Sequence, residues 1–101
     1  MKQTDQLVWI IYDIVEDKAR TRIAKLTLAA GLYRVQKSVF LGTIQRNQLD
    51  ELELEIEELI NPKKDSVYIF PICEQDFKKV RLIGKVFDKA MIRDEVKSLF
   101  L

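Results

Sequence analysis

The chain has 101 residues and a formal net charge of +1, with 48% hydrophobic and 33% charged residues. This composition is typical of a folded globular protein, and we expect residues 1–101 to form one domain. The single cysteine excludes a disulfide within the chain and favours a reducing compartment. Because no apolar stretch approaches the length of about 18 residues that suggests a membrane span, we expect a cytoplasmic protein without a membrane partner.

The charges are distributed unevenly along the chain. Residues 18–46 contain seven basic residues and no acid, whereas residues 47–60 contain six acids and no base. Opposite potentials on two elements can steer a polyanion to one face of a protein and repel it from another. Two solvated helix faces would give the same pattern, so the charge distribution alone leaves both interpretations open.

The first predicted elements are a strand and a helix. Residues 7–14 are almost continuously apolar and β-branched, which is typical of a central strand, and the apolar run is broken by Asp13. Asp17 can cap a helix over residues 17–30, and Gly31 can take the C′ position after it. The sequence therefore predicts a carboxylate where a buried strand passes into a helix.

The next segment alternates with the period of a strand. From residue 33 to residue 41, one face carries Val35, Val39 and Leu41, and the other carries Arg34, Gln36, Ser38 and Phe40. Residues 33–44 must supply two strands, so we expect these to be short or to form one bent ribbon. An aromatic ring on a polar strand face can pack at a dimer interface or stack on a base, and we expect one of these roles for Phe40.

The remaining elements complete a recognisable order. We predict a helix over residues 47–60 capped by Asn47, a strand over 66–72 and a short extra strand over 80–83. Short loops and right-handed crossovers fold the order β-α-β-β-α-β into a ferredoxin-like α+β sandwich, in which both helices cover one face of an antiparallel sheet. We therefore predict this fold with an extra C-terminal strand.

The end of the chain carries apolar residues without a clear place in that fold. We place the core of the domain at residues 7–84 and treat residues 85–101 as a tail. The tail ends in Val96, Leu99, Phe100 and Leu101. Because an apolar chain end is more often docked than free, we expect it to pack on its own subunit or on a partner subunit.

Asp13 is the strongest candidate for a functional residue. Enzymes that act on phosphates usually hold Mg²⁺ with one or two carboxylates and with oxygens of the substrate. Each chain offers one suitably placed carboxylate, so a two-fold dimer would have to supply the second. The chain has no histidine, so catalysis would rely on water activated by a divalent metal. A helix cap or a plain surface acid is the alternative interpretation of Asp13.

Three blocks of sequence have a distinctive order and spacing: Tyr12-Asp13-Ile14, the pair Arg20 and Arg22, and Arg34-Val35-Gln36 running into Ser38-Val39-Phe40 with Gly42. They resemble the smaller of the two core proteins of CRISPR adaptation, often called the CRISPR-associated endoribonuclease of the adaptation module. The run from Asp65-Ser66-Val67 to Pro71 also fits the fourth strand of that family. The resemblance extends over about residues 7–84, and the tail carries no motif of the family.

The resemblance implies a homodimeric ferredoxin-like fold whose last strand can join the sheet of the partner. It implies a site for Mg²⁺, or another divalent cation such as Mn²⁺, where the two copies of Asp13 face one another. It also implies a role in spacer acquisition on duplex DNA, beside the integrase subunit. Some members have been credited with cleaving RNA or DNA, whereas others act as bridging subunits without catalysis.

We therefore expect a spacer-acquisition subunit that binds duplex DNA as a homodimer and has a metal-dependent endonuclease activity on RNA or DNA. Asp13 would be its catalytic residue and metal ligand. Single-stranded RNA would be a second nucleic-acid partner. One alternative is a toxin-type ribonuclease of the same fold. The other is a purely non-catalytic module that bridges DNA.

The basic candidates for binding nucleic acid are Arg20, Arg22, Arg34 and Lys37. Arg34 lies on the polar face of its strand and is the best candidate for clamping a phosphate. Arg20 and Arg22 are two positions apart, which separates them by about 200° around a helix. They therefore cannot bind the same phosphate, and the sequence leaves open which of them contacts nucleic acid.

Two aromatic residues and one hydroxyl complete the candidate set. Tyr12 points away from Asp13 in a regular strand, so its default role is packing. The resemblance makes Tyr12, like Phe40, a candidate for a dimer or stacking contact. Ser38 has no base near it in the sequence, which argues against a nucleophilic role.

Overall fold

The computed structural model describes residues 5–81 and residue 83. Its elements, in chain order, are β1 Asp5–Asp13, α1 Asp17–Ala29, β2 Tyr33–Gln36, β3 Val39–Gln45, α2 Arg46–Leu59, β4 Ser66–Ile72 and α3 Glu74–Lys78. In this part of the chain no helix is long and apolar enough to cross a membrane.

The four strands form one antiparallel sheet in the order β2-β3-β1-β4. The most apolar strand, β1, lies inside the sheet, where Trp9 is opposite Leu41 on β3 and Phe70 on β4. Residues 33–45 do supply two strands, with an irregular register between Arg34 and Gln36. The predicted ferredoxin-like order β-α-β-β-α-β and its antiparallel sheet are confirmed.

The two faces of the sheet carry two separate apolar clusters. Helices α1 and α2 pack on one face, where their buried side chains join residues such as Val8, Ile10 and Ile44 in the main core. A smaller cluster forms on the other face around Leu7, Val35 and Leu41. Phe77 of the short helix α3 packs against this smaller cluster. We call this second surface the β1–β4 face, and it includes Leu7, Trp9 and Ile11 of β1 and their β4 partners Ile72, Phe70 and Tyr68.

The helix boundaries agree with the predictions, but the caps differ. Helix α1 begins with Asp17 as a helical residue, and Glu16 is its N-cap, without a side-chain cap hydrogen bond. Helix α2 likewise begins at Arg46 after Gln45, so Asn47 is not its cap. Gly31 follows α1 with a φ of 95°, which confirms the predicted left-handed end of the helix.

The prediction for Phe40 is wrong. Its strand face does carry Arg34, which is its register partner on β2, but helices cover that face over β3. Phe40 is fully buried in the main core, so its ring cannot stack on a base or line a dimer interface in this chain. Alternation correctly grouped Arg34 with Phe40 and Val35 with Leu41, but the irregular register places Gln36 opposite Val39, and Ser38 lies in the turn. Alternation also could not say which face the helices cover.

The segment after β4 also differs from the prediction. A short helix, α3, follows β4, and the Sγ of Cys73 accepts a hydrogen bond from the Asp76 amide at 3.4 Å. Within the predicted extra strand at 80–83, the described residues Val80, Arg81 and Ile83 form no strand. Local apolar character predicts a propensity, whereas a strand forms only where a neighbour pairs with it. The tail at 85–101 lies outside the described residues.

Candidate functional site

Asp13 is the last residue of β1, and its side chain is exposed. It is opposite Ser66, the first residue of β4. Because side chains alternate along a strand, Asp13 lies on the same face as Ile11, and Tyr12 points to the helix-covered face. The structure thus brings a solvent-accessible carboxylate to one end of the β1–β4 face.

A cleft with basic walls opens on the other side of the sheet, between α1 and the turn that joins β2 to β3. We call it the basic cleft; it has a volume of about 620 Å³ and is lined by Tyr12, Asp17, Arg20, Thr21, Ala24, Lys25, Leu28, Arg34, Lys37 and Ser38. Four of these residues are cationic and one is a carboxylate, so the cleft carries an excess of positive charge. It contains three of the four predicted nucleic-acid-binding residues, whereas Asp13 is not among its lining residues.

Arg34 is held in the cleft by contacts within the protein. Its Nε and Nη2 donate to the main-chain oxygen of Lys37 at 3.1 and 2.6 Å. Its guanidinium carbon lies 5.6 Å from the centroid of the Phe40 ring, a distance at which a cation is attracted to an aromatic face. A guanidinium has five N–H donors, so donors remain for an anion after these contacts. The predicted phosphate-binding residue is therefore preorganised.

Tyr12 forms the floor of the cleft and packs in the core. Its ring stacks on Phe40 with a centroid distance of 6.1 Å, and its hydroxyl donates to the main-chain oxygen of Lys37 at 3.2 Å. Burial raises the pKa of the Tyr12 phenol above its usual value, and the nearby charges of Arg34 and Arg20 only partly oppose this. Tyr12 therefore stays a neutral hydrogen-bond donor, and its predicted packing role is confirmed.

The structure separates the two arginines of α1. Arg20 lines the basic cleft, pairs with Asp17 and donates to the main-chain oxygen of Ile14 at 3.2 Å. Arg22 instead lines a groove between α1 and α2 that also contains Glu55 and Glu58. The two side chains are thus in different surroundings, as their spacing predicts, and Arg20 is the one that shares a cleft with Arg34.

Asp65 is an acid beside the end of β1 whose hydrogen bonds sequence reasoning did not predict. Its Oδ1 accepts a hydrogen bond from the amide of Val15 at 2.9 Å, and its Oδ2 accepts one from the amide of Asn61 at 2.8 Å. These two backbone N–H groups, that of Asn61 most strongly, lower the pKa of the Asp65 carboxyl below its usual value. The acid of the family-like run Asp65-Ser66-Val67 was visible in the sequence, but its partner fifty positions earlier was not.

A metal site would have to use Asp13 with few other protein ligands. Among residues 5–81 and 83, no group of three or more acidic, cysteine or histidine side chains could hold a metal ion. Mg²⁺ nevertheless needs only one or two carboxylates, because water and phosphate oxygens complete its octahedral shell. An exposed Asp13 carboxylate meets that requirement if a second copy or the nucleic acid contributes the remaining ligands.

Comparisons with known proteins identify the family. Residues 6–80 match the family described as CRISPR associated protein Cas2. A relative from Korarchaeum cryptofilum, named CRISPR-associated endoribonuclease Cas2, is 32% identical over 78 residues, which are 77% of this chain and 84% of the relative. A relative of similar name from Archaeoglobus fulgidus is 35% identical over 66 residues, 65% of this chain and 70% of the relative.

Solved structures agree with the fold. The crystal structure of a hypothetical protein from Thermus thermophilus has a TM-score of 0.69 and 30% identity, covering 80% of this chain and 93% of that one. The crystal structure of Streptococcus pyogenes Cas2 covers 77% of this chain and 99% of that one, with a TM-score of 0.68 and 24% identity. From the sequence match, and with a fold that agrees, we conclude that this chain belongs to the CRISPR-associated Cas2 family.

Proposed function

We propose that the protein is a spacer-acquisition subunit that binds duplex DNA as a homodimer beside an integrase subunit, and that it cleaves phosphodiester bonds with Mg²⁺ held at Asp13. The observation that carries the proposal is the exposed Asp13 carboxylate at the end of β1, in a chain whose relatives are named endoribonucleases. The basic cleft on the helix side of the sheet supplies the positive charge that a nucleic-acid backbone requires.

The proposed dimer is supported by the exposed aromatic rings of the β1–β4 face. Tyr68 and Phe70 of β4 are 55% and 50% exposed, and their rings stack on one another with a centroid distance of 6.1 Å. Their register partners on β1 are Ile11 and Trp9, so the exposed rings continue an apolar surface. Asp13 lies at the end of this same face. In a two-fold dimer formed through this face, the Asp13 carboxylate of each subunit would lie on the side of its sheet that faces the partner.

In the proposed mechanism, cationic residues on one side of the sheet bind the nucleic acid, and Asp13 on the other side holds the metal ion. A bound Mg²⁺ would polarise the phosphate and lower the pKa of a water molecule. Asp13 would hold that ion, while Arg20, Arg34 and Lys37 would bind phosphates from the cleft. Because these cations lie on the side of α1 and α2 and Asp13 lies on the β1–β4 face, they would anchor phosphates that flank the cleaved bond. Tyr12 would donate a hydrogen bond and keep its proton.

The central test is cleavage of labelled single-stranded RNA and duplex DNA across a Mg²⁺ titration. We expect wild-type protein to cleave one of them only when Mg²⁺ is present, and Asp13→Ala to show no more cleavage than a protein-free control. Glu53→Ala, which removes an exposed carboxylate from α2, is the matched control and should cleave like wild type. Undiminished cleavage by Asp13→Ala would exclude Asp13 as the metal ligand and would indicate a contaminating nuclease.

Duplex binding gives a second prediction. We expect Arg34→Ala to weaken duplex binding and to reduce the magnitude of the salt dependence, d log K/d log[salt], by about 0.9, which corresponds to one phosphate contact. Arg22→Ala removes the same charge from the groove near Glu55 and Glu58 and should leave both quantities close to wild type. Fluorescence anisotropy at several salt concentrations measures them. Equal effects of the two variants would indicate nonspecific attraction and would contradict a binding role for the cleft.

The non-catalytic bridging module remains the second candidate, because the basic cleft and Asp13 lie on different faces of the sheet. In that case Asp13→Ala would retain full duplex affinity, and neither protein would cleave either substrate under any metal condition. Such a result would leave the cleft as the functional site and would remove catalysis from the proposal.

A further inference from the structure

We propose that Asp65 is a positioning residue for Asp13. Asp65 fixes the loop between β1 and α1 and thereby holds Asp13 in place; this inference rests on the metal site proposed above. Asp65 immediately precedes β4, and the first residue of β4, Ser66, is opposite Asp13. The carboxylate of Asp65 therefore lies beside the strand end from which Asp13 projects. Its contact with the loop is a hydrogen bond from the amide of Val15, two residues after Asp13, at 2.9 Å.

The other oxygen of Asp65 fixes the carboxylate itself. The amide of Asn61 donates to Oδ2 at 2.8 Å. The amide of Asp65 in turn donates to the main-chain oxygen of Asn61 at the same distance, so residues 61–65 form a closed turn. A carboxylate held on both sides by N–H groups has little freedom to rotate. Asp65 thus connects the turn before β4 to the loop after β1 through a hydrogen bond on each of its carboxylate oxygens.

Among residues 5–81 and 83, the loop after Asp13 has few other supports. The side chain of Val15 is 66% exposed and contributes little packing. Ile14 is buried in the main core, and its main-chain oxygen accepts a hydrogen bond from Arg20 at 3.2 Å. The loop is therefore held on one side by Arg20 and the core, and on the other by Asp65. Loss of the Asp65 contact would free the amide of Val15 and allow the end of β1 to fray.

A metal ligand requires a fixed strand end. Groups that orient metal ligands without touching the metal commonly change its affinity by about 10–100-fold when they are removed. Asp13 is exposed, so no side-chain packing fixes its carboxylate, and the backbone on either side must do so. The Asp65–Val15 hydrogen bond is a contact in this region that ties the segment after Asp13 to another part of the chain.

The experiment is a Mn²⁺ titration of the whole protein, with free Mn²⁺ measured by electron paramagnetic resonance. We expect Asp65→Ala to raise the Kd for Mn²⁺ by about tenfold. Asp65→Asn keeps one carbonyl oxygen that can accept from Val15, so it should have a smaller effect. Asp50→Asn makes the same change at an exposed position of α2, and this variant should bind Mn²⁺ like wild type. Circular dichroism at the titration temperature confirms that each variant is folded, and Asp65→Asn keeps the test open if Asp65→Ala unfolds.

Asp13→Ala, titrated in parallel, separates the two proposals. In one outcome, Asp13→Ala loses Mn²⁺ binding while both Asp65 variants bind Mn²⁺ within about twofold of wild type, which is far below the effect expected of a positioning group. The role of Asp65 would then be purely structural, and this inference would be overturned. If wild type binds no Mn²⁺, or Asp13→Ala binds it like wild type, both the metal site and the positioning role are overturned. A lower melting temperature of Asp65→Asn with unchanged Mn²⁺ affinity also counts against positioning.

Discussion

Replacing Phe40 with alanine is expected to lower the free energy of unfolding by about 3–5 kcal/mol. The Phe40 side chain is fully buried in the main core, where its ring stacks on Tyr12. Truncation removes the apolar surface of the ring from the core and leaves a cavity that the surrounding strands and helices can fill only in part. Because small domains are stable by only about 5–15 kcal/mol, this single change is expected to remove a large share of the stability.

Urea unfolding measures this effect, and all variants should be compared at one protein concentration because a dimer would add stability. Leu54→Ala removes an aliphatic side chain that is 60% exposed on α2, and it should change the stability by no more than about 0.5 kcal/mol. A loss below about 1 kcal/mol for Phe40→Ala, the size of an average substitution, would contradict the buried position. Arg34 lies over the same ring, so we also expect weaker duplex binding by any Phe40→Ala that remains folded.

Phe40 also illustrates what the sequence could and could not predict. Alternation correctly placed Arg34 and Phe40 on one face, and the pattern of residues 66–72 gave the bounds of β4 as the structure has them. The order of elements then gave the ferredoxin-like fold. The apparent polarity of the Phe40 face arose because β2 is an edge strand, where Arg34 reaches solvent, whereas helices cover the same face over β3. A pattern within one segment carries no information about that cover.

The candidate site was predictable only in part, for a similar reason. The sequence suggested Asp13, Arg34 and the pair Arg20 and Arg22 as candidates. The structure adds that Arg20 and Arg34 share a cleft that includes neither Arg22 nor Asp13. The hydrogen bond between Asp65 and Val15 joins residues fifty positions apart and follows no period. Helix α3 is only five residues long, which is too short for a clear periodic pattern.

Replacing Phe70 with glutamate is expected to convert the proposed dimer into a monomer. Phe70 is half exposed at the β1–β4 face, where its ring stacks on Tyr68 and its register partner is Trp9. If this face is the dimer interface, Phe70→Glu would bury a charge of each subunit within the interface. Burial of an unpaired charge costs several kcal/mol, and each 1.4 kcal/mol weakens association by about tenfold. We therefore expect the dimer dissociation constant to rise by more than about a hundredfold.

Analytical ultracentrifugation at micromolar concentration measures the change. Leu54→Glu introduces the same charge at an exposed position of α2 and should leave the dimer intact, while circular dichroism shows whether both variants are folded. A wild-type monomer would contradict the proposed dimer, and a dimeric Phe70→Glu would exclude this face as the interface.

The same variant also tests how the metal site is completed. Phe70 is not a metal ligand, and the Asp13 carboxylate of each subunit is unchanged in Phe70→Glu. If two copies of Asp13 must meet to hold one ion, the monomeric variant should lose affinity for Mn²⁺ almost as completely as Asp13→Ala does. If one carboxylate is enough, its affinity should stay near that of wild type. Mn²⁺ titration of a folded, monomeric Phe70→Glu therefore distinguishes a site shared across the dimer from a site within each chain.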